Sequence, residues 1–61
     1  MQIVCIDIRG IDKRRESLTL GKVYNIDLRR DVTFEPSRDG LEKCFWVNGH
    51  RYSADRFETV D

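Results

Sequence analysis

Cysteine, histidine and proline are scarce in this chain of 61 residues, at two, one and one, and each scarcity removes a class of chemistry. A structural zinc site takes about four thiolate or imidazole ligands, more than the chain's cysteines and histidine supply. Neither Cys5 nor Cys44 belongs to a Cys-x-x-Cys pair. They read as small buried apolar side chains, although two facing strands could bring them into a disulfide. Apolar runs are short too. "MQIVCIDI" is interrupted by Asp7 too soon for a signal peptide, and nothing approaches the roughly 20 apolar residues of a membrane span. The expectation is a soluble, cytoplasmic protein. Net charge is missing as well: eleven basic and eleven acidic residues cancel, so there is no overall positive field to drive non-specific binding to a phosphate backbone. No repeat, linker or low-complexity tract stands out, and no stretch of about ten or more residues has helical periodicity.

What the chain does have is aromatic residues and β-prone alternation. Tyr24, Phe34, Phe45, Trp46, Tyr52 and Phe57 argue for a packed core in spite of a charged fraction of 36%, which without them would suggest disorder. A single domain over residues 1–61 is expected, near the lower size limit for one hydrophobic core. "QIVCIDI", residues 2–8, predicts a strand with Val4, Ile6 and Ile8 on its inner face. "RGIDKRRES", residues 9–17, reads as a mobile charged loop anchored only by Ile11. "KVYNIDL", residues 22–28, alternates with Tyr24, Ile26 and Leu28 inward. "DVTFE", residues 31–35, predicts a strand closed by Pro36. In "LEKCFWVNGHRYS", residues 41–53, Asn48-Gly49 predicts a two-residue hairpin turn of type I′. That turn pairs Val47 with His50, Trp46 with Arg51, Phe45 with Tyr52 and Cys44 with Ser53, and puts Phe45, Val47 and Tyr52 on one face. The tail, residues 54–60, predicts a single 3₁₀ turn and a last strand burying Phe57 and Val60. Together these make an all-β protein, a small five-stranded barrel of the Src-homology-3-like (SH3-like) type with short turns.

The segments "CID" at 5–7, "LTLGKVYNI" at 18–26 and "RYSADRFE" at 51–58 resemble the pattern of small uncharacterised phage and prophage proteins with an SH3-like β-barrel. The resemblance implies that Leu18, Gly21, Lys22 and Tyr24 lead into the second strand, and that Tyr52, Arg56 and Phe57 close the barrel. Two regions depart from the pattern, the charged loop at 9–17 and the long hairpin between Leu28 and Leu41. Both are places where a partner-specific function could have been added. The family has no single activity to carry over.

Motifs for catalysis are weak. "LTLGKVY" has one glycine, no hydroxyl after its lysine and a strand following, so it lacks the glycine-rich strand-to-helix loop that rings a phosphate with N–H groups. His50, the one imidazole, has no nucleophile and orienting carboxylate placed beside it in the predicted register, and no carboxylate pair has a setting that suggests a shifted pKa. No catalytic residue, cofactor or metal ligand is assigned. Trp46 facing outward beside Arg51 is more informative, since a stacked cation–π pair of about 0.5–1 kcal/mol has the composition of an interface hot spot or a base-stacking platform. The alternative is that Trp46 is covered by the loop at 9–17 or merely stabilises the sheet. Lys13, Arg14 and Arg15, with Arg29 and Arg30, form the basic clusters, flanked by Asp12, Glu16, Asp27 and Asp31.

The expected function is a non-enzymatic protein-binding module, phage- or prophage-encoded, that binds and inhibits a protein in the host cytoplasm through Trp46, Arg51, Lys13, Arg14, Arg15, Arg29 and Arg30. A nucleic-acid-binding barrel using the basic loops is the alternative, and a structural, self-assembling protein the third reading. A monomer or weak homodimer is expected.

Overall fold

The computed structural model describes residues 1–60. Six strands make two three-stranded antiparallel sheets. In the first, β1 (Gln2–Cys5) lies between β2 (Val23–Asn25) and β6 (Phe57–Thr59). In the second, β4 (Gly40–Val47) lies between β3 (Val32–Ser37) and β5 (His50–Ser53). A 3₁₀ turn (Ala54–Arg56) joins β5 to β6, its first turn held by the Ser53 hydroxyl accepting from the Asp55 N–H. The chain is all-β, as its alternation implies. The expected closed five-stranded barrel is replaced by these six strands in two sheets.

Strand β1 buries the opposite face from the one expected. Ile3 and Cys5 are 0% and 1% exposed, whereas Ile6 is 45% exposed. Apolar residues stand on both sides of "IVCI", so alternation alone leaves the face undetermined, and a one-residue slip exchanges inside for outside. The strand stops where Asp7 turns the chain: its carboxylate accepts the Arg9 N–H at 2.9 Å and is clasped by the Arg9 guanidinium at 2.8 Å.

The glycine-lysine pair has a definite backbone role. Lys22 N–H donates to Thr19 C=O, closing a four-residue turn whose third residue, Gly21, sits at φ +81°, the arrangement of a type II turn. Gly21 and Lys22 together oppose Cys5, with Gly21 N–H donating to Cys5 C=O at 2.8 Å and Cys5 N–H to Lys22 C=O at 3.0 Å. This is a glycine β-bulge, which twists the strand it enters. It aims Tyr24 and Ile26 inward, at 7% and 5% exposure. Leu28, expected on the same face, is exposed because the chain turns away at Asp27.

Pro36 does not close β3, which runs through it to Ser37. Trp46 N–H donates to Asp31 C=O, and hydrogen-bonded pairs alternate along an antiparallel ladder, so position 36 directs its missing N–H away from β4. A proline there costs no ladder bond, as edge strands allow. Asn48 and Gly49, at φ +53° and +81°, form the type I′ turn, and all four predicted pairs of the β4–β5 hairpin are present.

Between the sheets, Phe57 meets Phe45, Tyr52 and Tyr24 edge-on at centroid distances of 5.8, 6.3 and 6.5 Å, contacts worth about 0.5–1.5 kcal/mol each beyond burial. Leu18 and Val47 complete this core, with Ile8 and Ile11 packed against it. Val60, expected inside, is exposed. Arg56 ties the end of the chain to its beginning, donating to Asp7 C=O at 3.3 Å. Among the described residues no helix is long and apolar enough to cross a membrane.

Candidate functional site

The cleft that contains Trp46 is walled by residues from both sheets. Edge strand β2 contributes Tyr24 and Asn25, the turn before β3 contributes Arg30 and Asp31, and the β4–β5 hairpin contributes Trp46 and Asn48. The cleft holds about 480 Å³ and opens to solvent. Trp46 is 39% exposed, so neither a lid nor the core takes up its whole ring.

The pairing of Trp46 with Arg51 exists in the backbone register, but the expected stacking does not. Arg51 instead crosses the outer face of β4 to Glu35 on β3, Nη1 to Oε1 at 2.8 Å. Cys44 lies on that same face between β3 and β5 and is 5% exposed. Burial pushes its thiol pKa up, and the Glu42 carboxylate adds to the shift. Cys5 and Cys44 are both free thiols. The cation–aromatic contacts among the described residues lie elsewhere, with Lys22 Nζ over Tyr24 and Lys43 Nζ over Phe45, each 5.4 Å from the ring centre.

The two basic clusters are built alike. In Asp12-Lys13-Arg14-Arg15-Glu16, the Asp12 carboxylate accepts the Arg14 N–H at 3.0 Å, and Asp12 C=O accepts the N–H groups of Arg15 and Glu16. In Asp27-Leu28-Arg29-Arg30-Asp31, the Asp27 carboxylate accepts the Arg29 N–H at 2.8 Å, and Asp27 C=O accepts those of Arg30 and Asp31. The second turn is also latched: the Asp31 carboxylate accepts the Asp27 N–H at 2.8 Å and pairs with Arg30 at 3.3 Å. The Asp27 N–H lowers the pKa of Asp31, with Arg30 assisting.

These turns form a repeat, Asp-x-Arg-Arg-acid, that at five positions is too short to stand out in the sequence. Its sequence signal is the pair of acids that flanks each cluster. Lys13, Arg14, Arg15, Arg29 and Arg30 are all exposed. Asn48 connects both turns to the cleft, its side-chain amide donating to Ser17 C=O at 2.9 Å just past the first turn while it lines the cleft beside Arg30 of the second. The loop at 9–17 is therefore held at Asp12, Ile11 and Ser17.

His50 tilts against Tyr52 at 6.4 Å. The Tyr52 hydroxyl is buried with no hydrogen-bond partner among the described residues, and burial, followed by the nearby Glu16 carboxylate, raises its pKa. Asp7 is perturbed by a cation rather than by a second carboxylate: hydrogen bonds from the Arg9 side chain and then its backbone N–H lower its pKa to about 2. The sequence could show the Asp7-x-Arg9 spacing but not that the chain turns there. Among the described residues no group of three or more His, Cys, Asp or Glu is placed to hold a metal ion. No family model, curated protein or solved structure matches the chain.

Proposed function

We propose that this chain is a non-enzymatic protein-binding module that docks on a host protein in the host cytoplasm and inhibits it by occupying its surface. The observation that carries this reading is the half-exposed Trp46 in the wall of an open cleft beside Arg30. Tryptophan and arginine are the residues most enriched where interface energy concentrates. Arg29, Lys13, Arg14 and Arg15 extend the contact along the two Asp-x-Arg-Arg turns, and Arg51 supports it from the strand beside Trp46.

Phage or prophage origin and an SH3-like barrel belong to the same proposal. Supporting the barrel is the shortness of the break between β2 and β3, spanned by the Asp27–Asp31 turn. Recovery of a bound protein from nuclease-treated bacterial host lysate, compared between the wild type and Trp46→Ala, tests the docking site. A hot spot of about 2 kcal/mol or more predicts at least a tenfold loss of recovery. Undiminished recovery would remove Trp46 from the interface.

One observation favours the nucleic-acid reading as the second. The acids flanking the arginines spend hydrogen bonds on backbone N–H groups, so the guanidinium groups of Arg14, Arg15 and Arg29 extend into solvent. Binding to single-stranded DNA that weakens steeply with salt and is lost in Arg14→Ala with Arg29→Ala would support it over protein docking.

A further inference from the structure

Strand β3 is an edge of its sheet, and its exposed side carries a pattern complementary to itself. The alternation set by the Trp46–Asp31 bond turns the backbone groups of Thr33, Glu35 and Ser37 toward β4. Those of Val32, Phe34 and Pro36 face outward, and among the described residues they have no hydrogen-bond partner. Phe34 is 60% exposed and Leu41, opposite Pro36, is 73% exposed. This edge lies apart from the docking role proposed for Trp46.

We propose that a second copy of this chain pairs with the β3 edge, antiparallel, about a two-fold axis at Phe34. In that register the Phe34 N–H of each copy donates to the Phe34 C=O of the other, and each Val32 N–H to the opposite Pro36 C=O. The missing N–H of Pro36 then falls at the end of the ladder, where the Val32 carbonyl it leaves unpaired still meets water. Shifting the register by two residues would place the proline opposite Phe34, inside the ladder.

Side chains match in the same register. Phe34 packs against its own copy on one face. On the other face Thr33 stands opposite Glu35 of the second copy. The Thr33 hydroxyl is buried with no partner among the described residues, and rotation about χ1 turns it outward as a donor to that carboxylate. Glu35 is meanwhile neutralised by its own Arg51, and each Glu35 faces a threonine rather than its like. An unrelated extended peptide would lack this reciprocity. The pairing is isologous, so it uses the β3 edge of both copies and closes at two. Two short strands bury little area, which puts the dimer in the weak class.

Sedimentation velocity from micromolar to millimolar concentration reads the result directly. The mass is expected to rise from 7.2 kDa toward twice that value. Phe34→Lys, at an exposed position, should weaken dimerisation at least about tenfold through charge repulsion and lost packing. Pro36→Ala restores an N–H facing the Val32 carbonyl and should tighten it by about threefold or more. Trp46→Ala should leave it unchanged. Circular dichroism verifies the fold of each variant, with Phe34→Ser replacing Phe34→Lys if the lysine variant melts. A monomer throughout the range, or a dimer unmoved by the changes at positions 34 and 36, overturns the proposal.

Discussion

Replacing Gly21 with alanine isolates the cost of a backbone conformation from that of a contact. An added Cβ at position 21 meets nothing within 4 Å, so the substitution creates no clash. The penalty comes from φ +81°, which costs an L-residue about 1–2 kcal/mol. Lower conformational entropy of the unfolded chain returns about 0.4–1 kcal/mol, leaving a net loss of about 1 kcal/mol. For a domain of this size that loss lowers Tm by about 4–8 °C. The assay is thermal and urea unfolding followed by Trp46 fluorescence and far-ultraviolet circular dichroism. Gly21→Asn, which tolerates the left-handed region better, should recover part of the loss. An alanine variant as stable as the wild type, or an asparagine variant worse than alanine, would refute the bulge as the reason for this glycine.

Ile3→Ala should cost about 2–5 kcal/mol in urea unfolding, whereas Ile6→Ala, at a half-exposed site, should cost well under half as much; the reverse order would restore the other face of β1 to the core. Asp7 has its pKa lowered from 3.8 to about 2 in the folded chain, so its stabilisation is in place above the higher value and disappears as pH falls through the lower one. Asp7→Asn should therefore be less stable than the wild type at neutral pH and lose that difference on acid titration, and a gap that persists below both values would assign its effect to packing. Cys5 and Cys44 are buried, and the Cys44 thiol is held protonated by burial and Glu42. Both should react with Ellman's reagent no faster than the chain opens, and a burst of reaction in the native state would contradict their burial.

The segments legible from sequence are those in which one local rule determines the outcome. Asn48-Gly49 allows a tight turn whose length fixes the register, so every pair from Val47–His50 to Cys44–Ser53 followed from two residues. The 3₁₀ turn and buried Phe57 were readable in the same way. Errors arose where two rules competed. In β1 the β-branched residues occupy both faces, and choosing Val4 over Ile3 reversed the strand. At Pro36 the side of the missing N–H mattered more than the residue type, and that side depends on which neighbour β3 pairs with. The Trp46–Arg51 stacking failed for a different reason: register places backbones, but arginine is long enough to bypass its direct neighbour for a carboxylate two strands away. For the candidate site, Trp46 and Arg30 stand out in the sequence but the cleft they line does not, because its walls come from segments far apart in the chain, while Lys13, Arg14, Arg15, Arg29 and Arg51 are not among its lining.

The paired Asp-x-Arg-Arg turns separate what folds from what is displayed. The first turn is closed by Asp12 and backbone atoms and the second by Asp27 and Asp31 with backbone atoms, and the two residues at each crest contribute little beyond their main chain. Mutation can therefore exchange those crest residues without disturbing the scaffold beneath. Two such sockets, one of them lining the cleft through Arg30 and Asp31, leave the side chains of the surface free to change while the architecture stays still.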